Sequence, residues 1–259
     1  MKRYLGFMLL RDIKKTFSIR AAFIWICMSA LCIFFFFTSD GKLQLIQNNT
    51  VEFMTLMLPQ IIFGSWAVLS VYFDMISADR EHNVLDMILC SGAAKSSVFL
   101  SKLLTMMVIS LILSVMYLLP ITAVIVGLSE QLGFISLFFQ YLIPLWGYIM
   151  VYASLGLMIS VIARSSKAAM IWSLAGGLIL MPRFFMIIVD GLGSVFKWTE
   201  GIKNSIAMIS PGVLMNALSD FTDATRLAQA AAGFSACIIA LTLLSFLVFR
   251  KQDELNYGE

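Results

Sequence analysis

The sequence predicts an all-α membrane protein with six membrane-spanning helices, on the evidence of its composition, its apolar runs and the placement of its charges. Of 259 residues, 60% are hydrophobic and 13% are charged. Soluble domains have about 45–50% apolar and about 25% charged residues. Because the chain has too little polar surface to cover a water-soluble globule, we interpret residues 1–259 as a single transmembrane domain.

Long runs with few charges define the predicted spans. A helix needs about 20 apolar residues to cross a hydrocarbon core about 30 Å thick. Runs near or above this length lie at residues 21–39, 53–73, 103–129, 131–163, 168–189 and 227–249. The fourth run is too long for one upright helix and is divided by Pro144, so its first part either lies in the interface or extends a tilted helix. Pro182-Arg183 breaks the fifth run.

The distribution of positive charge predicts the orientation. Six spans place both termini on one side, and the side richer in Lys and Arg is expected to be cytoplasmic. With the N-terminus inside, segments 1–20, 79–102, 164–167 and 250–259 together carry thirteen Lys and Arg residues, whereas the outer segments carry four. We therefore expect a multi-pass membrane protein with both termini in the cytoplasm.

Two segments outside the spans have helical patterns. In residues 1–20, an apolar stripe of Leu5, Leu9, Ile13 and Phe17 predicts an amphipathic helix on the inner leaflet. The outer loop, residues 190–226, contains a proline that is well placed to start a helix, Pro211. Apolar residues then recur at helical spacing, which predicts short helices that return toward the bilayer; these residues are Val213, Leu214, Ala217, Leu218 and Phe221.

Several classes of function lack their motifs. No basic block with interleaved aromatics supports nucleic-acid binding, and a single histidine, His82, cannot form a multi-histidine metal site. The four cysteines have no ligand spacing and are interpreted as packing residues. The chain contains no G-x-x-x-x-G-K-[ST] loop, so any ATP would be hydrolysed by another subunit. We expect no cofactor, no metal and no catalytic residue.

The stretch SADREHNVLDMILCSGAAKSS, residues 77–97, joins spans two and three. Apolar residues at i, i+3 and i+4 lie opposite a polar face, with Leu85, Ile88 and Leu89 on the first and Glu81, Asn83 and Asp86 on the second. Gly92 is a natural left-handed stop, and Ser96 or Ser97 could cap the next helix. We predict a short amphipathic helix over residues 79–91 that either rests on lipid or docks a cytoplasmic protein.

This stretch resembles the segment after the second span in ABC transporter permeases of the type-2, exporter class. Those proteins typically read E-R-E-x-G-T-L-E-x-L-L, then a polar turn with proline, then an apolar pair and G-K-L. The matching residues here are Asp79, Arg80, Glu81, Val84, Leu85, Asp86, Ile88, Leu89, Lys102 and Leu103. Asn83, Gly92 and Ser101 depart from the pattern. The stretches ISPGVLMNAL and LLSFLVFRKQDEL look like the motif before the last span and the ending of that family.

The resemblance implies that residues 79–91 form a coupling helix seated in a groove of a separate ATPase subunit. Two copies of that ATP-binding subunit and a second permease, identical or homologous, would complete the transporter in the lipid bilayer of a bacterial inner (cytoplasmic) membrane. The coupling residues would be Asp79, Arg80, Glu81, Val84, Leu85, Asp86, Ile88 and Leu89. Arg183 and Pro211 are candidates for the translocation path or an outer gate, although the position of Arg183 favours a snorkelling anchor or a partner for a carboxylate such as Asp190.

The apolar spans favour an amphipathic or hydrophobic substrate such as a peptide, a drug or a lipid-like molecule. One alternative is a stand-alone secondary transporter, which would need charged residues within its spans, where this chain offers only Arg183. Another is a membrane enzyme or scaffold, although an enzyme should gather polar residues at one membrane depth. In span four, Gly156-x-x-x-Ser160 would allow close helix packing, more within the chain than between chains.

Overall fold

A computed structural model describes residues 2–38, 42, 45, 53–129, 133–207, 210–219 and 224–256. Every regular element in these ranges is a helix. In chain order they are α1 (Lys2–Thr16), α2 (Ile19–Thr38), α3 (Phe53–Tyr72), α4 (Ser77–Glu81), α5 (Val84–Cys90), α6 (Lys95–Leu128), α7 (Phe134–Ile162), α8 (Ser166–Ile179), α9 (Pro182–Val195), α10 (Glu200–Ala207), α11 (Pro211–Ser219) and α12 (Ala224–Asn256). The predicted all-α membrane fold is confirmed.

The spans agree with the apolar runs. Among the described residues, 5 helical stretches are long and apolar enough to cross a membrane: α2, α3 with α4, α6, α7 and α12. The pair α8 and α9 supplies a sixth span when it is counted as one, although it is bent by 65° at the predicted Pro182 break. Pro144 does not divide the fourth run, because α7 continues through it. The first part of that run therefore extends the helix.

The break between α8 and α9 is stabilised by side chains from neighbouring spans. A helix interrupted within a bilayer frees carbonyl groups, which need partners because hydrocarbon offers none. Ser65 Oγ donates to the Gly177 carbonyl at 2.9 Å, and Tyr152 Oη donates to the Leu180 carbonyl at 2.5 Å. The end of α8 is therefore satisfied by α3 and α7.

Helix α7 occupies the centre of the bundle and packs against α3, α6, α8, α11 and α12. Two glycines allow this close approach. A Cβ at Gly156 would lie 2.9 Å from Tyr72 Cβ of α3, and one at Gly147 would lie 3.2 Å from the Phe234 ring of α12. The Gly156-x-x-x-Ser160 pattern thus serves packing within the chain, as the sequence favoured.

The loop between α9 and α12 contains the expected short helices. Pro211 occupies the first position of α11, and Leu214, Met215 and Leu218 are buried. Helix α11 packs against α7 and α12. Phe221 of the predicted stripe lies outside the described residues.

Candidate functional site: an ionic junction beside α4 and α5

The segment between α3 and α6 forms two short helices rather than the single helix predicted over 79–91. Asn83 separates α4 from α5 in a left-handed conformation, with φ 55°. Asparagine is one of the few residues that adopt this conformation readily. Gly92 ends α5 with φ +85°, as predicted. Ala94 rather than a serine occupies the N-cap of α6, because that helix begins at Lys95 and places both candidate serines inside its first turn.

Asp79 of α4 is a buried acceptor for three cations. Its carboxylate receives hydrogen bonds from Lys102 Nζ at 2.5 Å, Lys15 Nζ at 2.8 Å and Arg11 Nη2 at 3.1 Å. Asp79 is only 4% exposed, so it faces the protein interior and not a docking surface. Its partners belong to α1 and α6, and Asp79 therefore joins α4 to both.

A second carboxylate, Asp12 of α1, completes this group. It receives hydrogen bonds from Lys102 Nζ at 3.0 Å, Arg11 Nη2 at 2.6 Å and Ser101 Oγ at 3.3 Å. Lys102 is 1% exposed and lies between the two carboxylates. We call Arg11, Asp12, Lys15, Asp79 and Lys102 the ionic junction.

Burial of these charges is tolerable because each has opposite charges and hydrogen bonds close by. Burial alone would lower the pKa of Arg11, but the hydrogen bond and charge of Asp12, with those of Asp79, outweigh it and raise the pKa above its ordinary value. A lysine as deeply buried as Lys102 would be very costly without its carboxylates. The junction therefore fixes the position of α1 against α6 and α4.

Arg80 connects α4 to the end of α7. Its Nη1 donates to the carbonyls of Val161 at 3.2 Å and Ala163 at 3.1 Å. The last carbonyls of a helix lack partners within the helix and carry partial negative charge. A guanidinium at this position both satisfies them and complements the helix dipole.

Glu81 connects α4 to the beginning of α8. Its Oε2 accepts a hydrogen bond from the Ser166 backbone N–H at 2.8 Å, where a carboxylate complements the helix dipole. Three consecutive residues therefore bind other helices: Asp79 binds α1 and α6, Arg80 binds the end of α7, and Glu81 binds the start of α8. We call them the 79–81 triplet.

Ser160 of α7 binds the start of α4, the helix that contains the 79–81 triplet. Its Oγ accepts from the backbone N–H groups of Ile76 at 2.7 Å and Ser77 at 3.0 Å. Helix α4 has no side-chain cap of its own. A residue from another span thus supplies the missing cap.

The apolar face of α5 turns toward its own chain, and its predicted contact with an ATPase subunit stays a prediction. Leu85 is buried, and Ile88 and Leu89 are partly buried against the core. Val84 is intermediate in exposure. The outward surface of this segment consists of Glu81, His82, Asn83, Asp86, Met87 and Cys90. Of the eight coupling residues predicted from the sequence, only Glu81 and Asp86 are exposed.

The two residues expected in the translocation path or at an outer gate lie at the starts of two helices, far in sequence from the 79–81 triplet. Arg183 is exposed at the start of α9, and Pro211 is buried at the start of α11. Their neighbours meet, since a Cβ at Gly212 would lie 2.7 Å from Pro182. Their role in a pathway stays a prediction.

The partners of Asp79 were missed from the sequence. Asp12 carries the only negative charge in α1, and Lys102 follows Ser101 two turns into the apolar helix α6. A lysine within an apolar helix, or a lone aspartate in a basic one, indicates that its charge is paired, and the sequence contains both signals. Nothing in the local pattern pairs them, since Asp12 and Lys102 are 90 residues apart.

The fold and this site together define a multi-pass helical membrane protein with a charged helical segment anchored to several spans. Residues 11–254 match the family model described as ABC-2 family transporter protein, and the chain belongs to that family. Membership makes it an ABC transporter permease, a membrane component of the kind that works with an ABC ATPase subunit. A search among curated proteins found none that matches the chain.

Proposed function

We propose that this chain is the membrane-spanning subunit of an ATP-driven exporter, with α4 and α5 on the cytoplasmic side as the segment that contacts the ATPase. Two ATPase subunits and a second permease, identical or homologous, would form the complete transporter in the cytoplasmic membrane. The substrate class that best suits the apolar spans is an amphipathic or hydrophobic molecule. Both termini would be cytoplasmic, consistent with the excess of Lys and Arg there.

The observation that carries this proposal is the 79–81 triplet. It contacts α1, α6, α7 and the start of α8, while residues 81–83, 86, 87 and 90 remain exposed around it. A force applied to that surface would reach four other helices through hydrogen bonds and ion pairs. The outward residues of α5, and not Leu85, would then make the contact with the ATPase.

The helices nearest the two termini, α1 and α12, support the same arrangement. Phe249 of α12 packs against Phe99 of α6, with ring centroids 5.9 Å apart. Phe99 is close in sequence to Lys102 of the ionic junction. Helix α1 reaches the same end of α6 through Asp12. The helices nearest both termini therefore meet the α4–α5 end of the bundle.

A variant on the exposed surface tests the proposal. The chain is affinity-purified in mild detergent, and the ATPase subunit that accompanies it is assayed for ATP hydrolysis and for transport of a fluorescent amphiphile in vesicles. Met87, 63% exposed on α5, is replaced by Glu, and Ile202, an exposed apolar residue of α10, is replaced by Glu as the matched control. We expect Met87→Glu to reduce ATPase retention and transport, whereas Ile202→Glu leaves both unchanged.

Two results would overturn the proposal. One is the absence of any co-purifying ATPase together with amphiphile transport that persists in ATP-depleted vesicles, which favours a secondary transporter. The other is full ATPase retention by Met87→Glu together with unchanged transport. Each variant is first shown to reach the membrane at the wild-type level, so that a loss of insertion is not read as a loss of coupling.

A further inference from the structure

A cavity of about 600 Å³ lies beside the ionic junction, between the end of α1, the start of α2, the end of α3 and α8. This volume falls in the range of about 300–1,000 Å³ that is typical of small-molecule sites. The lining is divided between polar and apolar residues. Its polar members are Lys15, Thr16, Ser18, Ser70 and Asp74.

The two charged groups in the lining have hydrogen-bonding capacity to spare. Among the described residues, Asp74 forms no ion pair. Lys15 Nζ contacts Asp79 at 2.8 Å, but an ammonium has three donors, and the Lys15 side chain is 34% exposed. The cavity therefore presents one carboxylate without an ion-pair contact and one ammonium with free donors.

The charges of Asp74 and of the ionic junction balance one another. Asp74 and the junction together contain three cations, Arg11, Lys15 and Lys102, and three carboxylates, Asp12, Asp74 and Asp79. A ligand with a net charge would add an uncompensated charge to a partly buried group, which is costly. A zwitterionic head can meet Lys15 and Asp74 at once and preserve the balance.

The apolar part of the lining indicates an amphiphile rather than a soluble zwitterion. Ile19 at the start of α2 is 91% exposed, and Met170 of α8 is also exposed. Both line the cavity, so its rim is apolar and open to the outside of the chain. The polar residues lie at the ends of α1 and α3, which adjoin apolar spans. The ends of spans are where lipid headgroups are expected.

We propose that this cavity is a headgroup site for a phospholipid that carries a primary amine beside its phosphate. The ammonium lies against Asp74, the phosphate lies against Lys15, and the acyl chains leave past Ile19 and Met170. A primary ammonium donates hydrogen bonds to a carboxylate, whereas a trimethylammonium has no N–H to donate. The site therefore distinguishes phosphatidylethanolamine from phosphatidylcholine, which has the same net charge.

The test measures lipid binding to the purified full chain, without any ATPase, so its result does not depend on the proposed transport function. Delipidated protein in detergent is titrated with phosphatidylethanolamine, phosphatidylcholine and phosphatidylglycerol of the same acyl composition, and bound lipid is counted by native mass spectrometry. We expect wild-type protein to retain phosphatidylethanolamine about tenfold more tightly than phosphatidylcholine, the scale of one charge-assisted hydrogen bond. Phosphatidylglycerol should bind more weakly than phosphatidylethanolamine.

Variants assign that preference to the cavity. Asp74→Asn should abolish it, Asp74→Glu should keep part of it, and Asp190→Asn, which changes an exposed carboxylate on α9, should leave it intact. Each variant is checked for an unchanged gel-filtration profile and helix content. Equal retention of phosphatidylethanolamine and phosphatidylcholine by the wild type, or an undiminished preference in a folded Asp74→Asn variant, would overturn the proposal.

Discussion

Replacing Asp79 by asparagine should be among the most damaging changes at the ionic junction, although it alters only one carboxylate. The substitution is nearly isosteric but removes the charge that Lys102, Lys15 and Arg11 share. Lys15 and Arg11 are about one third exposed and can turn toward water, whereas Lys102 cannot. Lys102 would keep Asp12 alone as a partner.

The magnitude follows from burial. Removing one partner of a buried pair costs about 3–5 kcal/mol, because the remaining charge is left without compensation. In a chain of this size that corresponds to a fall in melting temperature of about 6–20 °C, on the calibration of soluble domains. Lys15→Met breaks a pair that solvent screens, so it should cost only about 0.2–1 kcal/mol.

The assay is thermal unfolding in lipid nanodiscs followed by circular dichroism, with trypsin cleavage of α1 as a local measure. A double variant, Asp79→Asn with Lys102→Met, separates lost charge from lost shape. It should be more stable than Asp79→Asn alone, because the buried ammonium that has lost one of its two carboxylates is replaced by an apolar side chain. The reasoning is refuted if the two changes destabilise additively, or if Asp79→Asn costs no more than Lys15→Met.

Three further predictions concern the elements that hold α4 and α7 in place. Gly156→Ala should cost about 1–3 kcal/mol in thermal unfolding, because its Cβ would lie 2.9 Å from a side-chain carbon of α3. Gly127→Ala, with open space around its Cβ, should cost nothing, and equal losses would contradict this account. Ser160→Ala should speed amide hydrogen exchange at the start of α4, where two N–H groups lose their acceptor, while Ser154→Ala, whose hydroxyl bonds only within α7, serves as a control that should not. Asn83→Gly should preserve stability and Asn83→Val should lower it by about 1–2 kcal/mol, since φ is 55° there; a neutral valine would be evidence against a left-handed turn.

The spans and the helix breaks were largely predictable from the sequence because they depend on local chemistry. Apolar runs located the spans, Pro182 marked the bend between α8 and α9, and Pro211 began a helix. Pro144 is the exception, since α7 runs through a proline that the pattern treated as a divider. In a central helix with partners on many sides, packing outweighs the loss of one backbone hydrogen bond.

The candidate site was predictable only in its position along the chain. The pattern of α5 correctly separated an apolar face from a polar one, but it could not say whether the apolar face met this chain or another. The resemblance placed Asp79 among the coupling residues, and its burial was not predicted. Its partners are 64 and 68 residues away in α1 and 23 residues away in α6, distances at which no local pattern identifies a contact.

The choice of charged residues at this junction fits the proposed role of α4 better than it fits a role in stability. Buried ion pairs add little stability compared with apolar packing of the same shape, but they define one geometry because each donor requires its acceptor. An apolar contact between α1, α4 and α6 could slide, whereas a carboxylate bonded to Lys102, Lys15 and Arg11 resists displacement in several directions at once. Under the proposed function, a movement of α4 must therefore carry α1 and α6 with it. The double variant of Asp79 and Lys102 tests this reasoning further, because a transporter whose chain is stable but whose ionic junction lacks the Asp79–Lys102 pair should hydrolyse ATP with reduced transport per ATP.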